Sequence, residues 1–78
     1  MTKDRLYQLL KDLPGDPEVF VEEDRGLVAT VSTPAFGDRH EALRQQMVWE
    51  HLGARCSDED LANVVFIFAL PPRTKQAG

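Results

Sequence analysis

Three side chains in this sequence carry the donor atoms of a soft-metal or redox site: Cys56, His51 and His40. The two histidines stand eleven residues apart on a stretch that reads as helix. At 1.5 Å of rise per residue that is roughly 16 Å along the axis, so they cannot share one ion. Cys56 follows Gly53 and is the residue placed to approach His51. A thiol becomes a ligand or nucleophile as its thiolate, and Asp58, Glu59 and Asp60 make a poor setting for that anion. A structural or surface role for all three is the weightier expectation, with no metal and no cofactor.

The cations able to meet phosphate are scattered: Arg39, Arg44 and Arg55. Nine basic residues face thirteen acidic ones, for a formal net charge of −4. Nucleic-acid binders usually present a basic domain or stripe, so binding of that kind would rest on a local patch. Arg44 has a bland alternative, in which its stem covers apolar surface and its head pairs with a carboxylate. No nucleophile–base spacing, phosphate loop or zinc motif is present, and the sequence does not read as an enzyme.

The elements that must position these residues follow from pattern. At 78 residues the chain is one domain with a thin core. Leu6, Leu9, Leu10 and Leu13 recur at helical spacing behind Thr2 as N-cap, and Pro14-Gly15-Asp16-Pro17 ends that helix. Residues 18–22 and 27–32 are rich in β-branched residues and alternate, and the polar stretch 23–26 between them makes a hairpin. Asp38 and Glu41 have capping-box spacing, which predicts a helix from about Arg39 to Leu52, stopped by Gly53. Its core stripe is Ala42, Gln45, Val48, Trp49 and Leu52; Leu43 and Met47 form a second apolar pair nearly opposite.

Ser57 with Asp60 signals a short third helix. The uninterrupted apolar run 64–70 then reads as a strand buried on both faces. Such a strand suits the middle of a three-stranded sheet, or an edge completed by dimerisation. The polar tail 73–78 is expected to fray. The fold class is therefore α+β, in the order α-β-β-α-α-β, with a mixed three-stranded sheet and helices on one face. One cysteine permits no intrachain disulfide, no apolar run approaches a membrane span, and the N-terminal residues lack a signal-peptide core. These features predict a cytoplasmic protein.

The order of elements, with several local motifs, resembles the BolA-like family, itself a relative of the type II KH topology. Leu13-Pro14 is similar to the family's helix-ending Leu-Pro. Val31-Ser32-Thr33-Pro34-Ala35-Phe36 resembles its Val-Ser-Pro-x-Phe exit from the second strand, with one extra residue. Arg44-Gln45-Gln46-Met47-Val48-Trp49, followed by Leu52 and Gly53, stands where the family commonly shows Arg-His-Arg-Met-Val-Tyr. Leu70-Pro71-Pro72 looks like its Leu-Thr-Pro ending. The match covers roughly residues 3–73.

The resemblance implies an accessory or regulatory module that works by protein contact, with a monothiol glutaredoxin-like protein as partner. Members that share an iron–sulfur cluster with that partner carry a histidine at the start of the last strand and a His or Cys in the hairpin loop. Here those places hold Asn63 and the loop Glu23-Asp24-Arg25-Gly26, neither of which offers imidazole or thiolate. Contact without cluster ligation is the resulting expectation, with Arg44, Leu43, Met47, Asn63 and Cys56 as the candidate contact residues. A KH-like nucleic-acid regulator using Arg39, Arg44 and Arg55 is the first alternative. Against it, Gly53-Ala54-Arg55-Cys56 retains one glycine of the KH Gly-x-x-Gly loop and is followed by three acids. A small self-associating homodimeric domain is the second alternative.

Overall fold

The computed structural model describes residues 1–72, so the tail expected to fray at 73–78 lies outside the described residues. Helix α1 spans Lys3–Lys11, strand β1 Glu18–Glu23, β2 Leu27–Ser32, helix α2 Glu41–Gly53, α3 Asp58–Leu61 and β3 Val64–Leu70. A single 3₁₀ turn, Pro34–Phe36, leads out of β2. The sheet order is β1-β2-β3, with β1 antiparallel and β3 parallel to β2. This is the expected α+β fold with a mixed three-stranded sheet.

Local chemistry sets the ends of these elements. Thr2 caps α1 by accepting from the Arg5 N–H at 3.1 Å. After α1 the chain reverses through Gly15 at φ 92° and Asp16 at φ 56°. A Cβ on Gly15 would sit 2.3 Å from Thr33 Oγ1, so this position has no room for a side chain. Thr33 is itself buried; its hydroxyl donates to the Pro14 carbonyl at 2.6 Å and accepts from the Ala35 N–H at 3.2 Å. That pair of bonds fastens the end of α1 to the exit of β2. Ser57 and Asp60 form both bonds of the capping box at α3.

Two elements, α2 and β3, depart from expectation. Helix α2 starts at Glu41 with His40 at the N-cap and no side-chain cap, not at Arg39 behind Asp38. The chain is still turning at Arg39, whose N–H donates to the Phe36 carbonyl and whose guanidinium reaches the carbonyls of Ala35 and Phe36. The buried stripe of α2 is also narrower than its apolar pattern: Val48 and Leu52 are fully buried, Gln45 and Trp49 half-buried, and Ala42 exposed.

The other element is β3. It takes an edge, one of the two places expected for it, but it is buried on one face rather than on both. Ile67 and Ala69 join Leu27, Ala29 and Val31 of β2 and Val21 of β1 against the helices. Leu6 and Leu10 of α1, Phe36, Val48 and Leu52 complete that layer. Among the described residues no helix covers the other face, and there Phe66, Phe68 and Leu70 are exposed. No helix among the described residues is long and apolar enough to cross a membrane.

Candidate functional site

The parallel pairing of β2 with β3 decides which backbone groups each edge presents. The Leu27 N–H donates to the Asn63 carbonyl at 2.8 Å, which turns the odd-numbered residues of β2 toward β3. By alternation its even-numbered residues face β1. The register Phe20 to Thr30 and Glu22 to Val28 then turns the backbone of Val19, Val21 and Glu23 to the outside. On β3 a register shift at Leu27/Val28 leaves Ile67 and Ala69 as the outward residues.

The β3 edge is guarded by α2. Arg44 Nε donates to the Ala69 carbonyl at 2.6 Å, and Gln45 Nε2 donates to the Ile67 carbonyl at 2.7 Å. Gln45 is held for that task by Trp49, whose indole N–H donates to its Oε1 at 3.0 Å. Arg44 is held by a further bond from Nη1 to the Arg39 carbonyl at 2.7 Å. Side chains thus occupy both outward carbonyls of the regular part of β3, where a further strand would dock.

These bonds place the sequence candidates. Arg44 meets backbone carbonyls rather than a carboxylate. Leu43 is exposed and Met47 packs partly on the core edge. Asn63 lies at the opposite end of β3 from Ala69, about 20 Å away at ~3.3 Å per residue, and its amide donates to the Met1 carbonyl. Asn63 therefore shares no patch with Leu43. Cys56 is a half-buried free thiol after α2. His51 Nε2 lies 2.7 Å from the Leu9 carbonyl and ties α2 to α1. His40 is exposed at the α2 N-cap. Arg55 turns back to the His51 carbonyl, as Arg39 does to Ala35 and Phe36. Among the described residues no group of three or more His, Cys, Asp or Glu is arranged to hold a metal ion.

The most unusual surface is the uncovered sheet face. Phe20 is 76% exposed, Phe66 43%, Phe68 47% and Leu70 45%. Phe20, Thr30 and Phe68 form one row across the three strands, and Glu22, Val28 and Phe66 form the next. The rings of Phe66 and Phe68 meet edge to face at 4.7 Å. Glu22 is the charged residue in a shallow depression that also takes in Phe20, Val28, Thr30 and Phe68. These four apolar side chains leave on the order of 400 Å² in water, taking ~200 Å² for a whole aromatic side chain. That is the size of the largest patch a monomer usually exposes, and such patches are often functional.

No family model, curated protein or solved structure matches this chain. The protein's own surfaces are therefore what bears on its function. Of these, the candidate set from sequence included neither Phe20 nor Phe68. The signal was present: in Glu18–Glu23 the residues alternate, so Phe20 shares a face with Glu18 and Glu22 while Val19 and Val21 turn to the core. Likewise, Gln45 reads as a stripe residue on a helical wheel, and its role at the sheet edge becomes visible only with β3 in place.

Proposed function

We propose that this protein is a non-enzymatic, BolA-like accessory or regulatory module that acts in the cytoplasm by binding another protein. The observation that carries this reading is the apolar sheet face of Phe20, Phe66, Phe68 and Leu70, which no element among the described residues covers. On a domain with so small a core, leaving that much aromatic surface in water is a cost that a bound partner removes. The partner class the resemblance supplies is a monothiol glutaredoxin-like protein. Contact proceeds without ligation of an iron–sulfur cluster, because Asn63 and the loop Glu23–Gly26 stand in the family's ligand positions.

The test is a titration of the isotopically labelled protein with a monothiol glutaredoxin, read by amide chemical shifts and by visible absorbance. Shift changes clustered on one surface, with no cluster absorbance gained by this chain, support the reading. Unmoved resonances at millimolar partner overturn it.

A second reading has one observation in its favour: three exposed phenylalanines on a sheet face offer a stacking platform for bases. The acidic strand β1 borders that platform, which opposes a phosphate backbone. Binding of a single-stranded oligonucleotide at low salt would move the assignment to this reading.

A further inference from the structure

The uncovered sheet face carries one charge that its own surroundings leave unanswered. Its three rows hold two carboxylates, Glu18 and Glu22, and neither Lys nor Arg. Glu18 already has an interaction of its own, whereas the Glu22 carboxylate makes no hydrogen bond or ion pair among the described residues. Glu22 shares a depression of about 230 Å³ with Phe20, Val28, Thr30 and Phe68. A partner that covers those two rings therefore comes down over Glu22 as well. Taking a carboxylate out of water without supplying a cation is strongly disfavoured. Whatever covers this face must bring the cation with it.

The depression has room for one flat group. Phe20 and Phe68 lie in one row on either side of Thr30. Two strand spacings of ~4.8 Å set their backbones about 9.6 Å apart. A planar group between two rings needs ~7–8 Å, twice a carbon contact of ~3.5–4.0 Å. Thr30 is short enough to leave that gap open. Ring faces carry partial negative charge and an ionised carboxylate only accepts, so both favour a cation. At about 230 Å³ the depression is smaller than the ~300–1,000 Å³ of small-molecule clefts, and suits a side chain held by a larger partner.

We infer that this depression receives an arginine side chain of a partner protein, the guanidinium donating to the Glu22 carboxylate and stacking between Phe20 and Phe68. This rests on the proposed protein-contact role and deepens it by naming the partner's chemistry. Arginine fits better than lysine because its planar fork meets a carboxylate with two bonds and stacks on aromatic faces, while an ammonium is more strongly hydrated. The nearby cation Lys3 lines a different depression, beyond Phe20, together with Asp4. A second copy does not supply the cation either, since two such faces stacked bring each other only carboxylates. The apolar surface, on the order of 400 Å², is also half of the ~800 Å² that a stable interface takes from each partner.

The probe is the capped tripeptide Ile-Arg-Ile, compared with Ile-Lys-Ile and with a peptide carrying citrulline, which keeps the planar head of arginine without its charge. Amide and ring shifts of the full labelled chain are followed. Shifts should cluster on Phe20, Glu22, Thr30 and Phe68, and binding should weaken as salt rises. The arginine peptide should bind about three- to thirtyfold more tightly than the citrulline peptide, as an exposed ion pair and a cation–π contact together imply. Glu22→Gln should lower that preference and leave the citrulline peptide unchanged. Thr30→Phe fills the gap with a residue of high β-propensity and should weaken the arginine peptide. Glu22→Arg should make Ile-Glu-Ile bind more tightly than Ile-Arg-Ile, a reversal that misfolding cannot imitate.

A preference over citrulline below about threefold overturns the inference. So does a lysine peptide as tight as the arginine peptide, a preference untouched by Glu22→Gln, or shifts confined to other surfaces. A dimer in sedimentation whose Phe20 and Phe68 resonances change on dilution gives the face to a second copy. An Arg73→Gln variant that binds the peptide more tightly gives the site to this chain's own tail. A single-stranded oligonucleotide that displaces the peptide gives the rings to bases. Each of these three also overturns the inference. The outcomes separate from the wider reading. If glutaredoxin binds, and binds equally to Glu22→Gln, while no peptide docks, the arginine site falls and the accessory role stands. If the arginine peptide docks while glutaredoxin moves nothing, the site stands and that partner assignment falls.

Discussion

Arg44 Nε donates to the carbonyl of Ala69 at 2.6 Å, and this bond closes the end of a strand made wholly of apolar residues. Seven residues with high β-propensity and no charge, on an open edge, form the pattern of an aggregation-prone segment. Replacing both guards, as Arg44→Met with Gln45→Leu, keeps the stems and removes the donors. The double variant should lose about 2–6 kcal/mol on denaturant unfolding, at roughly 0.5–1.5 for each of the four bonds these two side chains make. It should also self-associate with rising concentration in sedimentation, whereas Arg44→Met alone, with Gln45 still on Ile67, should do so less. A double variant that stays monomeric and as soluble as the parent would show that the edge needs no guard.

Thr33 joins two loops through one buried hydroxyl. Thr33→Val has nearly the same shape but leaves the Pro14 carbonyl without its donor, and should cost about 1–3 kcal/mol. Gly15→Ala meets the same hydroxyl from the other side in a left-handed backbone, and should cost at least as much. Urea midpoints at an unchanged m-value provide the measurement, and a neutral Thr33→Val would remove the fastening role.

Phe20 and Phe68 are exposed enough that their loss should spare the fold. At ~25 cal/mol per Å² on the buried part of each ring, Phe20→Ser should cost about 1 kcal/mol and Phe68→Ser about 2–3. Both should weaken capture of a protein partner, while Leu43→Ser on the far side of the helical layer should leave it unchanged. Matched pull-down and thermal melts check this. Destabilisation well beyond these values by either serine would mean that the face is part of the core rather than a surface for contact.

Ser57 supplies half of a reciprocal cap on a four-residue helix with no buried residue. Ser57→Ala should cost about 0.5–2 kcal/mol and raise hydrogen exchange at the Asp60 amide. Because α3 leads directly into Val64, protection at the start of β3 should fall with it. Exchange confined to α3 alone would show that the two are uncoupled.

How far the sequence revealed this structure depends on what each residue had to signal. Thr2, the leucine spacing of α1 and the Ser57–Asp60 box are local signals, and the structure keeps them. Asp38 has the right spacing to Glu41 to signal the start of α2, yet the turn from Phe36 is not finished until Arg39 and the helix begins at Glu41. The exposed face of β3 was not legible at all. A continuous apolar run shows that a strand can be buried on both sides, but a second covering layer must come from elsewhere in the chain, and among the described residues none does. The contact residues read from the resemblance are dispersed over α2 (Leu43, Arg44, Met47), the turn after it (Cys56) and the residue before β3 (Asn63), whereas the surfaces with unmet chemistry lie on the uncovered sheet face and on the β1 edge.

The guards of β3 have a further consequence, in time rather than in space. Residues 44 and 45 precede residue 64 in a chain made from its N-terminus, so the donors already exist when the sticky strand emerges. The strand's own partner, β2, lies more than thirty residues earlier, and pairing over that span is slow to find. Helix α2 can form within microseconds as a local element. The two side chains that close the edge are thus synthesised before the strand they guard.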